Sequence, residues 1–251
     1  MPGNYLPAAC LRASFRHCAA LLLLALPFTA SHAALTLSST RIVFDSDKAS
    51  ASIIIRNPSK QPYAVQTWVN TVADNATVAV PFLVVPQLFR LSPGQEQQVQ
   101  INKLPNHLPN DRESLFFFNA QEIPQTNKEA GNVLNIALRT RIKLFYRPQQ
   151  ITGSPSGHLK QLEFSLHDKD GQPHLQVNNP TPFHFTFSRL EISDKGQQKA
   201  VKAIDMVAPF AQQTYPAPGI KPGAGLQVRF SIINDFGGYS EPVTQPISLA
   251  R

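Results

Sequence analysis

Apolar and polar residues alternate with a period of two along most of this chain. That period puts successive side chains on opposite faces of a strand, so each run predicts a strand with one buried face. In the first half, runs fall at residues 35–43 (LTLSSTRIV), 51–56, 63–69, 82–85, 97–102 (QQVQIN) and 133–146. In the second they fall at 159–166, 174–177, 183–192 (FHFTFSRLEI) and 227–233. The apolar run at 115–118 (LFFF) predicts a strand buried on both sides. Turn residues close these runs: Asn57-Pro58-Ser59, Ser92-Pro93-Gly94, Asp170-Gly171 and Asp194-Lys195-Gly196. No stretch keeps a helical period over three turns. Residues 148–157 (PQQITGSPSG) alone read as an interdomain linker, with about seven strands before it and six or seven after it. The expectation is an all-β chain of two immunoglobulin-like β-sandwich domains, at 34–148 and 157–251, joined by a linker at 149–156.

Composition adds a compartment. Of 251 residues, 22 are Pro, which suits short strands and opposes long helices. Both cysteines, Cys10 and Cys18, lie at the N-terminus. There Arg12, Arg16 and His17 precede the apolar run AALLLLAL, and Ser31-His32-Ala33 follows as a small-x-small cleavage site. Residues 1–33 therefore read as a secretory signal peptide; a buried N-terminal helix fits that order of features less well. The run is too short to span a bilayer and no later one qualifies, so membrane insertion is not expected. Cleavage after Ala33 leaves 218 residues without cysteine, which excludes disulfides, thiolate metal sites and a Cys nucleophile in the mature chain.

The formal charge of +7 falls to about +5 without Arg12 and Arg16. The charges are scattered and not interleaved with aromatics, so no nucleic-acid partner is expected. The five remaining histidines, His107, His158, His167, His174 and His184, show no metal-ligand spacing, and no nucleophile or nucleotide-binding motif occurs. Asp45 and Asp47 read as turn residues binding their own backbone. No catalytic residue, metal or cofactor is expected.

The segment LPNDRESLFFFNAQEIP at 108–124 resembles the signature of the periplasmic pilus (fimbrial) assembly chaperones of the PapD type. Ala120 stands where that pattern has a larger aliphatic residue, and Gln125 where it has a second Pro. Residues 39–44 (STRIVF), 137–148 (ALRTRIKLFYRP), 179–183 (NPTPF) and 233–238 (INDFGG) resemble further family motifs, in the family's order.

The resemblance implies a boomerang of two immunoglobulin-like domains with a cleft between them. It implies that Arg41 and Lys143 are the cleft cations that hold the C-terminal carboxylate of a pilus subunit. Without it, both read as surface cations on strand edges. It implies that Glu113, Arg147 and Asp235 form a salt-bridge set joining the domains; if solvated, such bridges contribute only about 0–1 kcal/mol, so orientation is the expected benefit. In the run 133–146, Leu134, Ile136, Leu138, Ile142 and Leu144 share one parity, and Asn135, Arg139, Arg141 and Lys143 the other. The resemblance implies that Leu134, Ile136 and Leu138 are lent to a subunit that lacks a strand, which is donor-strand complementation. The preceding loop, residues 124–132, is short, as in the branch of the family that assembles rod-like pili.

The expected function is a periplasmic chaperone that binds, folds and caps pilus subunits and delivers them to an outer-membrane usher. A secreted pilus subunit or adhesin is the alternative, disfavoured by the missing cysteine pair and the short apolar N-terminal stretch of the mature chain. An exported hydrolase finds no triad or metal spacing. Whether the free protein caps its own exposed strand as a dimer stays open.

Overall fold

The computed structural model describes residues 35–75, 77–123, 136–194, 197–202 and 205–249. The signal segment, Leu134, Asn135, Gln125 and the loop at 124–132 lie outside them.

The first sandwich is built from β1 (Thr36–Leu37), β2 (Arg41–Asp45), β3 (Ser50–Arg56), β4 (Tyr63–Asn70), β5 (Phe82–Val85), β6 (Leu88–Leu91), β7 (Glu96–Lys103), β8 (Ser114–Ile123) and β9 (Arg139–Arg147). One sheet has the order β1-β3-β7-β5, the other β2-β9-β8-β4-β6. Phe44, Ile53, Ile55, Val65, Val99, Ile101, Phe118 and Leu144 fill the space between them. After the 3-10 turn Pro155–Gln161, the second sandwich follows: β10 (Glu163–Lys169), β11 (Gln172–Asn179), β12 (Phe187–Asp194), β13 (Gln197–Ala200), β14 (Ala211–Pro216), β15 (Gln227–Ile232), β16 (Val243–Pro246) and β17 (Ser248–Leu249). Its sheets run β14-β11-β10-β17 and β13-β12-β15-β16 around a separate core that includes Phe164, Leu175, Phe183, Phe185, Phe230 and Ile232.

Three expectations need correction. The run 35–43 is not one strand: β1 pairs with β3 in one sheet and β2 with β9 in the other, so the chain changes sheets between Leu37 and Arg41. Ser39 marks the crossing, its hydroxyl bonding the Arg41 carbonyl at 2.6 Å. The alternation at 183–192 breaks in the middle. Phe183, Phe185 and Phe187 are buried on odd positions, then Leu190 and Ile192 on even ones. A β-bulge between Phe187 and Arg189 absorbs the change of parity. Third, β8 does not bury apolar side chains on both faces, although Asn119 on its outer face is fully buried. Phe116 and Phe118 enter the core, whereas Phe117 lies on the outer face under the Arg141 guanidinium, 3.8 Å from its ring centre. The apolar run is continuous there because an arginine covers what water would otherwise meet.

Candidate functional site

The outer face of β9 sets up the site. Its even positions Leu144 and Tyr146 face the core, so period two sends Arg139, Arg141, Lys143, Phe145 and Arg147 to the other side. β2 lies parallel to β9, with Arg41 opposite Lys143 and Asp45 opposite Arg147. A parallel pair in register points both side chains the same way, so Arg41 and Lys143 stand side by side.

These two cations reach toward the second sandwich. Arg41 Nη1 donates to the Ile233 carbonyl at 2.8 Å, and Lys143 Nζ to the Thr186 hydroxyl at 3.0 Å. Arg41 also lies 5.7 Å from the Phe145 ring centre. Neither cation has a carboxylate within salt-bridge distance among the described residues, and buried Arg41 Nε has no hydrogen-bond partner. Burial pushes the Arg41 pKa down, against the fields of Asp235 and Glu113. Burial, reinforced by Arg41, pushes the Lys143 ammonium below the usual lysine range. Two adjacent, desolvated cations with an unused donor are costly unless an anion completes them.

β9 is paired unequally on its two sides. Along β8 the ladder runs from Gln121 opposite Arg139 to Ser114 opposite Tyr146. On the other side β2 begins only at Lys143, so residues 139–142 have no strand partner there among the described residues. Just before them Ile136 is 62% exposed and Leu138 53%. A free edge therefore runs up to the cation pair, with exposed aliphatic side chains beside it.

The third group sits at the domain junction. Arg147 Nε and Nη2 donate to Glu113 Oε1 at 2.9 and 2.7 Å, while Nη1 and Nη2 hold both Asp235 oxygens at 2.8 and 2.9 Å. The network is desolvated: side-chain exposure is 1% for Glu113, 11% for Arg147 and 20% for Asp235. Burial works to lower the Arg147 pKa, but its hydrogen bonds and charge pairing with Asp235 and Glu113 prevail and hold it above the ordinary arginine value.

His184, dismissed as a metal ligand, belongs to this network. Its backbone N–H donates to Glu113 Oε2 at 2.8 Å, and its Nδ1 lies 3.1 Å from the same oxygen. The signal for it was its place beside the NPTPF segment, not its spacing from other histidines. Asn179 shapes that segment: Oδ1 accepts from the Thr181 amide and hydroxyl, and Nδ2 donates to the Phe183 and Ala208 carbonyls. The Glu113 amide then reaches the Pro182 carbonyl at 2.9 Å. Across the junction, Gly237 has a φ of +83° and leaves no room for a side chain, because a Cβ there would overlap the Thr40 hydroxyl.

Among the described residues, no group of His, Cys, Asp or Glu could hold a metal ion, and no helix is long and apolar enough to cross a membrane.

Comparison with known proteins gives this geometry its context. Residues 34–152 match the family described as pili and flagellar-assembly chaperone, PapD N-terminal domain, and residues 157–244 match the pili assembly chaperone PapD, C-terminal domain. The probable fimbrial chaperone YadV of Escherichia coli (strain K12) is 35% identical over 222 residues, covering 85% of this chain and 90% of that protein. Chaperone protein PapD of Escherichia coli is 37% identical over 209 residues, covering 82% and 84% respectively. The Salmonella enterica SafB chaperone, solved in complex with the SafA pilin, has a TM-score of 0.72 at 29% identity, covering 84% of this chain and 95% of that one. With both of its sandwiches matched, and relatives of this identity over most of its length, the chain belongs to the PapD family of pilus assembly chaperones.

Proposed function

We propose that the protein is a periplasmic chaperone that binds, folds and caps pilus subunits by donor-strand complementation and passes them to an outer-membrane usher. The observation that carries this reading is the half-empty row beside β9, which ends at Arg41 and Lys143. A strand entering that row continues the line of β2. If it runs parallel to β9, its C-terminus arrives at the cation pair, where a carboxylate takes up the unused Arg41 donor. If it runs antiparallel, an N-terminal ammonium meets two cations. Electrostatics therefore selects a parallel strand that ends there. The main-chain ladder supplies affinity, while Leu134, Ile136 and Leu138 enter the partner's core and set the register. Complexes such as SafB with the SafA pilin support a pilus subunit as the occupant.

Size exclusion of the protein with a co-expressed fimbrial subunit tests this reading. A stable one-to-one complex is expected; self-polymerisation of this chain would instead make it a subunit.

The donated side chains have an internal control. Ile136→Ser removes an exposed aliphatic group and should weaken subunit binding about tenfold or more, because a buried side chain of this kind contributes about 1.5–3 kcal/mol. Ala137→Ser, on the opposite parity, should leave binding unchanged. Both variants should melt like the parent. A large fall in the Ile136→Ser melting temperature would place that side chain in the protein's own core.

For export, the mature protein recovered from the periplasm should begin at or beside Ala34 on N-terminal sequencing. A product retaining Met1 would remove the signal-peptide assignment.

A further inference from the structure

The turn after β15 presents two aromatic side chains to solvent: Phe236 is 94% exposed and Tyr239 76%. Single exposed apolar residues are ordinary on protein surfaces. This turn differs in being closely hydrogen-bonded while both of its aromatics stay mostly in solvent. Asn234 Oδ1 accepts from the Phe236 and Gly238 amides, both at 3.0 Å. The Asn234 amide donates to the Gly238 carbonyl, the Gly237 amide to the Asn234 carbonyl, and Ile233 forms an isolated bridge with Tyr239. Phe236 also lies between two anchored neighbours, Asp235 on Arg147 and Gly237 against Thr40.

The same turn touches Arg41, one of the two anchor cations. The Ile233 carbonyl accepts from Arg41, and Thr40 directly precedes Arg41. The turn that carries the aromatic pair thus adjoins the point where the row beside β9 ends. A nearly fully exposed Phe contributes no burial to folding, and so much local order around it has another use.

We infer that Phe236 and Tyr239 form an apolar contact surface, contributed by the second sandwich, for the C-terminal residues of the pilus subunit whose carboxylate docks on Arg41 and Lys143. This rests on the anchor reading above and adds a contact that depends on the subunit's side chains. The carboxylate is common to every chain end. The aromatic pair distinguishes ends with apolar or aromatic side chains from ends that are wholly polar.

The probe is a synthetic peptide copying the last strand of a co-expressed pilus subunit, made with a free C-terminal carboxylate and as the C-terminal amide. Phe236→Ser should bind the free-acid peptide about tenfold more weakly at an unchanged melting temperature, Tyr239→Ser should also weaken it, and Phe236→Tyr should bind like the parent. Parental affinity in both Ser variants, while the amide still binds poorly, would overturn this inference and leave the anchor standing. Equal binding of acid and amide by the parent would overturn the anchor reading itself. A lowered melting temperature in Phe236→Ser would also overturn the inference, because the ring would then serve its own domain.

Discussion

Lys143→Met and Arg41→Ala should each weaken subunit binding tenfold to a hundredfold and leave the chaperone as stable as before, or slightly more so. Each removes one charge-assisted hydrogen bond to a carboxylate, at about 1.5–3 kcal/mol. The stability side follows from what the cations lack. Both are desolvated, they repel each other, and neither has a carboxylate partner among the described residues. What folding loses is the hydrogen bond from Lys143 to Thr186, or the one from Arg41 to the Ile233 carbonyl together with the Arg41 contact on the Phe145 ring, against the relief of a buried charge. Calorimetric binding and thermal melting on the same samples check both halves. Undiminished binding in both variants would remove the anchor assignment. Weak binding with a collapsed melting temperature would make the cations structural.

Arg147→Ala should have the opposite profile, a large loss of stability. It leaves Glu113 and Asp235 facing each other without their cation, and Glu113 is almost wholly buried. Breaking a buried pair in this way costs about 3–5 kcal/mol. At about 2–4 °C per kcal/mol for a chain of this size, the melting temperature should fall by roughly 10 °C. Arg147→Met combined with Glu113→Gln should recover much of that loss, because no isolated buried charge then remains on the first sandwich. X-ray scattering should show the single Ala variant sampling a broader range of shapes. A shift well under 1 kcal/mol would mean that water screens these ions as it does at an ordinary surface.

How far the sequence could be read follows from what period two can and cannot encode. It separated Ile142 and Leu144 from Arg141 and Lys143 without any structure, because parity alone decides the face of β9. It could not show that 35–43 serves two sheets: the core-facing residues slip from odd (Leu35, Leu37) to even (Ile42, Phe44) across Ser39, but a slip alone does not say that the partner strand has changed. The bulge after Phe187 was visible as a slip from odd to even positions, but a slip reads as noise until a partner strand fixes the register. Polar edge strands such as β13, exposed throughout, carry no apolar alternation. The junction was legible only in part. Glu113, Arg147 and Asp235 could be placed by motif, whereas His184 joins them through its backbone amide, a group every residue except Pro has. The unused Arg41 donor has no trace in the sequence, because it depends on which acceptors fail to arrive.

The in-register start of β2 at Arg41, opposite Lys143, has a consequence for timing. On the anchor reading, a row that closes on two cations selects the end of a polypeptide, because an internal stretch of the same sequence offers no main-chain carboxylate there. The C-terminus is the last part of a chain to be made, and in a chain exported N-terminus first it is the last to leave the membrane pore. On the anchor reading, stable capture therefore waits for a finished, fully released subunit. A chain cut short within its last strand would bring its carboxylate to the cations with its side chains displaced, and a one-residue displacement turns every side chain to the wrong face. On that reading the end of the chain and the parity of its last strand are checked in a single binding event.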